Sequence, residues 1–298
     1  MITDTRMLDL LPPPDLPGGG VLRVLWSNET MRVVEQRLPD GRLFRWLLQT
    51  PLVQTVVALG GGASRPRTRL DPDSFDRSVL MPAYHVAMVA ALGLRRGASR
   101  TFLFLGVGGG SLPAYLRQHH PRVQMTGVDS SAVALELGRR FFGCTAGPRL
   151  SLHAQRAEDF LARRRASSWD AILLDVSASD ESTPPAAPLV APPASLCSAR
   201  ALRGLRSRLR PGGVLVINCL GAAAALKQLT ARLARAFECD GGGSGGVVAI
   251  STSEGNLVLA AVRREARCTA CASVGDARWR EVCASLGLSV RQVCGGAK

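Results

Sequence analysis

Lysine is almost missing from this chain. Of 37 basic residues only Lys227 and Lys298 are lysines, so the formal charge of +14 is carried by arginine. Aromatic residues are scarce as well, at 5% of the chain, and they do not alternate with the basic ones. A dedicated RNA platform stacks bases on rings set among cations, so nucleic acid is not the expected partner. The positive charge still favours acidic partners, proteins among them.

Long apolar runs are lacking too. No stretch of about 18 apolar residues is there to span a membrane. Val214–Leu226 comes nearest, and Asn218 and Gly221 suit a strand-to-helix corner better. The first twenty residues hold Asp4, Asp9 and Asp15 but a single basic residue, which does not read as a secretory leader. With eight scattered cysteines, this points to free thiols in a reducing, cytoplasmic compartment. Metal is not expected. Cys268 and Cys271 form the only CxxC, ten residues separate Cys283 from Cys294, and the four histidines show no ligand spacing. The G-x-S-x-G match at Gly242–Gly246 sits in a glycine run rather than a strand-to-helix elbow, which removes a serine triad.

What the chain does have is Phe102 to Pro113, FLFLGVGGGSLP. Four apolar residues predict a buried parallel strand, and Gly106, Gly108 and Gly110 predict a tight turn that lets backbone approach a ligand. Ser111 is the expected N-cap of a helix with Pro113 in its first turn. A second strand, Val123–Val128, leads to Asp129, where a carboxylate can accept from ribose hydroxyls. Strand, glycine turn, helix, strand and acid in this order predict a nucleotide-like cofactor.

Upstream, residues 1–20 read as a flexible entry. Residues 21–80 read as a small β-hairpin region, with alternating apolar positions broken at Pro39-Asp40-Gly41. Ala83–Leu94 has helical spacing. Residues 81–265 read as one domain in which, from residue 101, the pattern is β-α repeated: Trp169–Asp175 is an apolar strand ending in an acid, Ser177–Pro193 a proline-rich loop, and Arg210–Gly213 a turn before strand Val214–Cys219. Val247–Ser251 and Asn256–Val262 read as a terminal hairpin, and 266–298 as a C-terminal extension closed by a helix over Asp276–Leu286. The expected fold is α/β: a Rossmann-like, doubly wound, mostly parallel seven-stranded sheet with a terminal antiparallel hairpin. Gly106, Asp129, Asp159 and Asp175 all fall at or just beyond the carboxyl ends of strands, where such sheets bind ligands.

LGVGGGSLP, VDSS, WDAILLDVSASD and RPGGVLVIN, with VQTVVAL and AYHVAMVAAL upstream, resemble class I S-adenosylmethionine-dependent methyltransferases of the spermidine-synthase-like branch. The resemblance covers residues 30–262 and implies S-adenosylmethionine as cofactor. It implies that Gly106, Gly108 and Gly110 hold the methionine end and Asp129 the ribose. Gln54, Tyr84 and His85 would border the methionine or acceptor pocket, and Asp175 would stand beside the sulfonium and the acceptor amine. Resemblance to the methyltransferases of elongation factor 1-alpha within this branch implies a protein substrate, that factor or another acidic, translation-related protein. Three departures stand out. Arg156 occupies the position of the adenine-binding acid, for which Glu158 or Asp159 would substitute. Val86 follows Tyr84-His85 where spermidine synthases carry Glu, and the D-x-x-D-P diamine signature is absent after Asp175. An aminopropyltransferase and a non-catalytic scaffold remain as alternatives.

Overall fold

A computed structural model describes residues 16, 19–49, 52–59, 75–76, 80, 82–95, 98–163, 169–177, 189–238, 246–264 and 277–293. They form two compact units, one of Met1–Met81 with Gly108–His119 and Ser131–Thr145, the other of Pro82–Val107, His120–Ser130 and Ala146–Lys298.

The first unit carries an antiparallel sheet of β1 (Val21–Ser27), β2 (Met31–Arg37), β3 (Leu43–Gln49), β4 (Leu52–Leu59) and β5 (Phe75–Asp76), in that order. The turn between β2 and β3 forms at the expected Pro39-Asp40-Gly41. Asp40 Oδ1 accepts from the N–H of Arg42 at 3.0 Å, and Gly41 takes φ +87°, a conformation glycine adopts without strain. The unit's helices are α2 (Ser111–His119) and α3 (Ala132–Phe141), numbered after α1 (Ala83–Leu92) of the other unit. Met31, Val33 and Leu47 pack with Ala134, Leu137, Phe141 and Phe142. Arg45 is fully buried, and burial, its largest influence, lowers its pKa. The charge survives there because Glu35 meets it at 2.6 Å and the Phe141 carbonyl accepts from it at 3.1 Å.

The second unit is built on a nine-stranded sheet. Its strands are β6 (Thr101–Leu105), β7 (Gln124–Asp129), β8 (Leu150–Ala154), β9 (Trp169–Leu174), β10 (Leu189–Ala191), β11 (Leu209–Gly221), β12 (Val247–Ser251), β13 (Leu257–Val262) and β14 (Ser289–Val293). Its remaining helices are α4 (Ala157–Ala162), α5 (Ala194–Cys197), α6 (Ala199–Arg208), α7 (Ala223–Ala236) and α8 (Ala277–Ser285). The order is β14-β12-β13-β11-β9-β6-β7-β8, with β10 beside β11. Strands β8, β7, β6, β9 and β11 are parallel; β13 is antiparallel to β11, and β12 to β13 and β14. All six residues of β9 are buried, as a central strand covered on both faces requires.

The seven expected strands are present, and two more extend the sheet. β14 pairs along β12, so part of the expected C-terminal extension is an edge strand; its apolar pattern was too short and polar to announce a strand. β10 lies at the end of the expected proline-rich loop, whose residues 178–188 fall outside the described residues. The expected turn at Arg210–Gly213 is instead a bulge inside β11: Leu209 pairs with Trp169 and Val214 with Ala171, so the extra residues arch out of the ladder. Gly212, at φ +77°, donates from its N–H to the Arg263 carbonyl at 2.7 Å and ties the arch to the end of β13.

Asp170 pins the amino end of the sheet. Its Oδ2 accepts from the N–H groups of Arg100 and Thr101 at 2.8 and 2.9 Å and from Arg210 Nη1 at 3.0 Å. α1 is backed by α8, whose Trp279 indole donates to the Ala90 carbonyl at 2.8 Å.

Candidate active site

The strand order reverses between β6 and β9, because the chain leaves β6 toward β7 and β8 and returns to β9 and β11. At such a switch point the connections part and leave a crevice at the carboxyl ends. The two strand ends are locked together there. Asp175 donates its N–H to the Leu105 carbonyl at 2.8 Å, and Gly106 donates to the Val128 carbonyl at 2.8 Å. Gly106 has φ +87°, and a Cβ at this position would lie 2.0 Å from the Asp175 carbonyl oxygen. This glycine therefore serves the close approach of two backbones. The Asp129 carboxylate then fixes the next residue of the turn: its Oδ2 accepts from the N–H of Val107 at 2.9 Å.

Beyond the switch point the polar side chains gather around Asp175, whose side chain is 22% exposed. Its Oδ2 lies 3.3 Å from His85 Nε2, and its Oδ1 accepts from Asn218 Nδ2 at 2.9 Å. Asn218 Oδ1 in turn accepts from Asn256 Nδ2 at 2.9 Å. Tyr84, its ring 4.4 Å from that of His85, stands close enough to Asp175 for the carboxylate's charge to act on its phenol. Burial first, then the negative charges of Asp175 and Glu254, raises the Tyr84 pKa well above its ordinary value, so the phenol keeps its proton. His85 is buried and its Nδ1 has no partner, while a carboxylate only accepts; the proton facing Asp175 therefore sits on Nε2. The outcome is a carboxylate approached by two donors and still part-exposed.

Tyr84, His85 and Asp175 are thus brought together by α1 and the end of β9. Gly106 and Asp129 meet the turn at the ends of β6 and β7. Gly108 and Gly110 adopt φ +53° and +83°, and Gln54 belongs to β4, its side chain outside the described residues. Asp159 is exposed on the first turn of α4; its neighbour Glu158 is half-buried and accepts from Ser195 Oγ at 2.6 Å. Ser111 does not cap α2. It is the first helical residue, and its buried Oγ has no partner. Asn218 and Asn256 escaped the sequence reading as site residues. The available signal was a lone amide in the apolar run VLVINCL, a buried polar group that demands partners. Among the described residues no group of His, Cys, Asp and Glu is arranged to hold a metal ion; Cys268, Cys271 and Cys294 lie outside them. No helix among the described residues is long and apolar enough to cross a membrane.

No family model matches the chain. The chain is 30% identical over 154 residues to the mouse (Mus musculus) eEF1A lysine and N-terminal methyltransferase, a match covering 49% of this chain and 22% of that protein. Its Drosophila melanogaster homologue is 25% identical over 176 residues, covering 56% and 24%. The chain therefore spans about a quarter or less of the curated relatives it matches. Among solved structures, human methyltransferase-like protein 13 in complex with SAH superposes with a TM-score of 0.56 at 23% identity, over 69% of this chain and 90% of that one. A probable spermidine synthase from Corynebacterium glutamicum superposes with a TM-score of 0.65 at 17% identity, over 93% and 92%. The fold is the Rossmann-like one that these methyltransferase and spermidine synthase structures share.

Proposed function

We propose that this chain is an S-adenosylmethionine-dependent methyltransferase acting on an amine, lysine or N-terminal, of a protein substrate such as elongation factor 1-alpha. One observation carries the reading: the Asp175 carboxylate, held by His85 and Asn218, stands at the switch point beside the Gly106 turn. The matched relatives, named for methylation of eEF1A, support a protein substrate, and a cytoplasmic setting belongs to the same reading. In this reading residues 81–265 form the cofactor-binding domain, preceded by segments 1–20 and 21–80 and followed by 266–298.

The residues present fit the cofactor. Asp129, fixed by Val107, is of the right chemistry and strand position for the ribose hydroxyls, and Glu158 or Asp159 for the adenine amino group. When bound, S-adenosylmethionine supplies an electrophilic methyl carbon on a sulfonium, a leaving group that needs no activation. The chain's own residues hold the acceptor nitrogen, exclude water and take its proton. Asp175 accepts a hydrogen bond from the amine, which aims the nitrogen lone pair. This carboxylate would take the proton that the nitrogen sheds on gaining the methyl group. His85 and Asn218 keep the carboxylate in place.

The test is transfer of label from methyl-tritiated S-adenosylmethionine to recombinant elongation factor 1-alpha. A parallel reaction supplies decarboxylated S-adenosylmethionine with putrescine. Labelled protein and no spermidine is the expected result. Spermidine without labelled protein overturns the reading in favour of an aminopropyltransferase, which Val86 and the missing second acid after Asp175 argue against.

A further inference from the structure

We infer that Asn256, in the turn between β12 and β13, is a positioning residue for the reaction: it acts through the Asn218 amide to set the direction of the Asp175 carboxylate. The inference rests on the proposed methyl transfer and assigns a part to the terminal hairpin, which the sequence reading left as sheet edge.

An asparagine amide has two ends of nearly equal shape and opposite chemistry. Only the Nδ2 end of Asn218 can donate to Asp175. With the amide turned over, Asn218 Oδ1 would face Asp175 Oδ1, acceptor against acceptor. Asn218 is buried, so water does not settle the choice. Asn256 settles it, because its Nδ2 donates to Asn218 Oδ1 at 2.9 Å and leaves Nδ2 of Asn218 for Asp175, also at 2.9 Å. Turning Asn218 over would break both bonds and oppose like atoms at both ends.

Asn256 is itself held by its backbone. Its carbonyl accepts from the N–H of Thr252 at 3.0 Å and from Thr252 Oγ1 at 3.2 Å, closing the turn, and Gly255 takes φ +85° within it. The same turn reaches the site by a second route. Glu254 Oε1 accepts from the N–H of Ala83, the residue before Tyr84. One five-residue turn thereby positions the carboxylate from one side and the aromatic pair Tyr84-His85 from the other. Asn218 thereby engages one Asp175 oxygen and His85 the other, which limits the ways the carboxylate can turn.

The experiment compares the full chain with Asn256→Ala, Asn256→Asp, Asn218→Ala and the double Asn218→Ala/Asn256→Ala variant. Asn256→Asp keeps the size of the side chain but loses the donor. Methyl transfer to elongation factor 1-alpha should fall about tenfold in kcat for each single variant, with cofactor Kd by calorimetry within about twofold of wild type. The double variant should be no slower than the slower single one, because both changes remove one device. Histidine ring 15N resonances, assigned to His85 by loss in His85→Gln, give a readout that needs no substrate. They should move in Asn256→Asp, as the Asp175 oxygen facing Nε2 turns. Losses that multiply in the double variant, a kcat unchanged while Tm falls, or an unmoved His85 resonance would each overturn the inference. Should wild type transfer no methyl group, the proposed function fails while the resonance still decides whether Asn256 orients Asp175.

Discussion

Glu254 and Ala83, 171 positions apart, meet in a 3.0 Å hydrogen bond: the carboxylate of the β12–β13 turn accepts the first N–H of α1. The bond satisfies one of the donors a helix start leaves open, and Pro82, at the cap position, offers no side-chain acceptor of its own. It also brings a second negative charge toward Tyr84, beside that of Asp175.

The first prediction follows from that pairing. Burial and the two carboxylates raise the folded-state pKa of Tyr84, whereas the unfolded chain titrates near the ordinary value of about 10. Below about pH 10 both states keep the proton and the contribution is constant. Above it the unfolded state loses its proton first, so stability falls as pH rises toward the folded value. Subtracting the alkaline titration of Tyr84→Phe from that of wild type should leave a phenolate signal that appears only well above pH 10. A signal centred at 10 would remove the buried phenol.

Asp175→Asn should leave cofactor affinity nearly unchanged and slow methyl transfer by roughly two orders of magnitude or more, the scale of a positioned acid or base. Capping of the following segment, the other role an acid at a strand end can play, is not what the side chain does: its partners are His85 and Asn218. Single-turnover rate and Tm on one preparation check this, and normal turnover with a lowered Tm would take Asp175 out of the mechanism.

Asp129→Ala should weaken S-adenosylmethionine binding by about 1–3 kcal/mol in calorimetry, through unpaired ribose hydroxyls and a freed Val107 N–H. An unchanged Kd would move the ribose contact elsewhere.

Gly106→Ala should damage the fold before it damages binding. A side chain there meets the Asp175 carbonyl at 2.0 Å from a strained φ, costing about 3 kcal/mol or more, or a Tm lower by about 6 °C or more. Tm by calorimetry without ligand checks it; an unshifted value would return this glycine to a purely ligand-facing role.

Much of this was legible in residue order. FLFLGVGGG and WDAILLD announced two central strands because buried parallel strands need unbroken apolar runs, and the glycines marked the turn that ends the first. The sequence also singled out Tyr84, His85 and Asp175, which the fold brings within contact. It did not show why Gly106 is glycine, since the obstructing atom is a backbone oxygen 69 residues on. Nor did it show Asn218 and Asn256 as partners. A side-chain amide carries no sign of which strand will stand beside it, and the pairing of β11 with β13 is what makes these two neighbours. β14 stayed hidden because SVRQV alternates over too few residues to stand apart from a loop.

The β12–β13 turn also sets an order of assembly. Asp129 and Val107 are 22 positions apart, so the Gly106 turn and its acid can form soon after they leave the ribosome. Tyr84 and His85 must wait for Asn218, Glu254 and Asn256. At about 5–20 residues per second, the 171 positions between Ala83 and Glu254 take on the order of ten to thirty seconds to synthesise. Until Glu254 and Asn256 have been made, α1 has its apolar face but not its cap, and Asn218 lacks its partner amide. The nascent chain thus has the partners of the Gly106 turn early and those of the Asp175 cluster last.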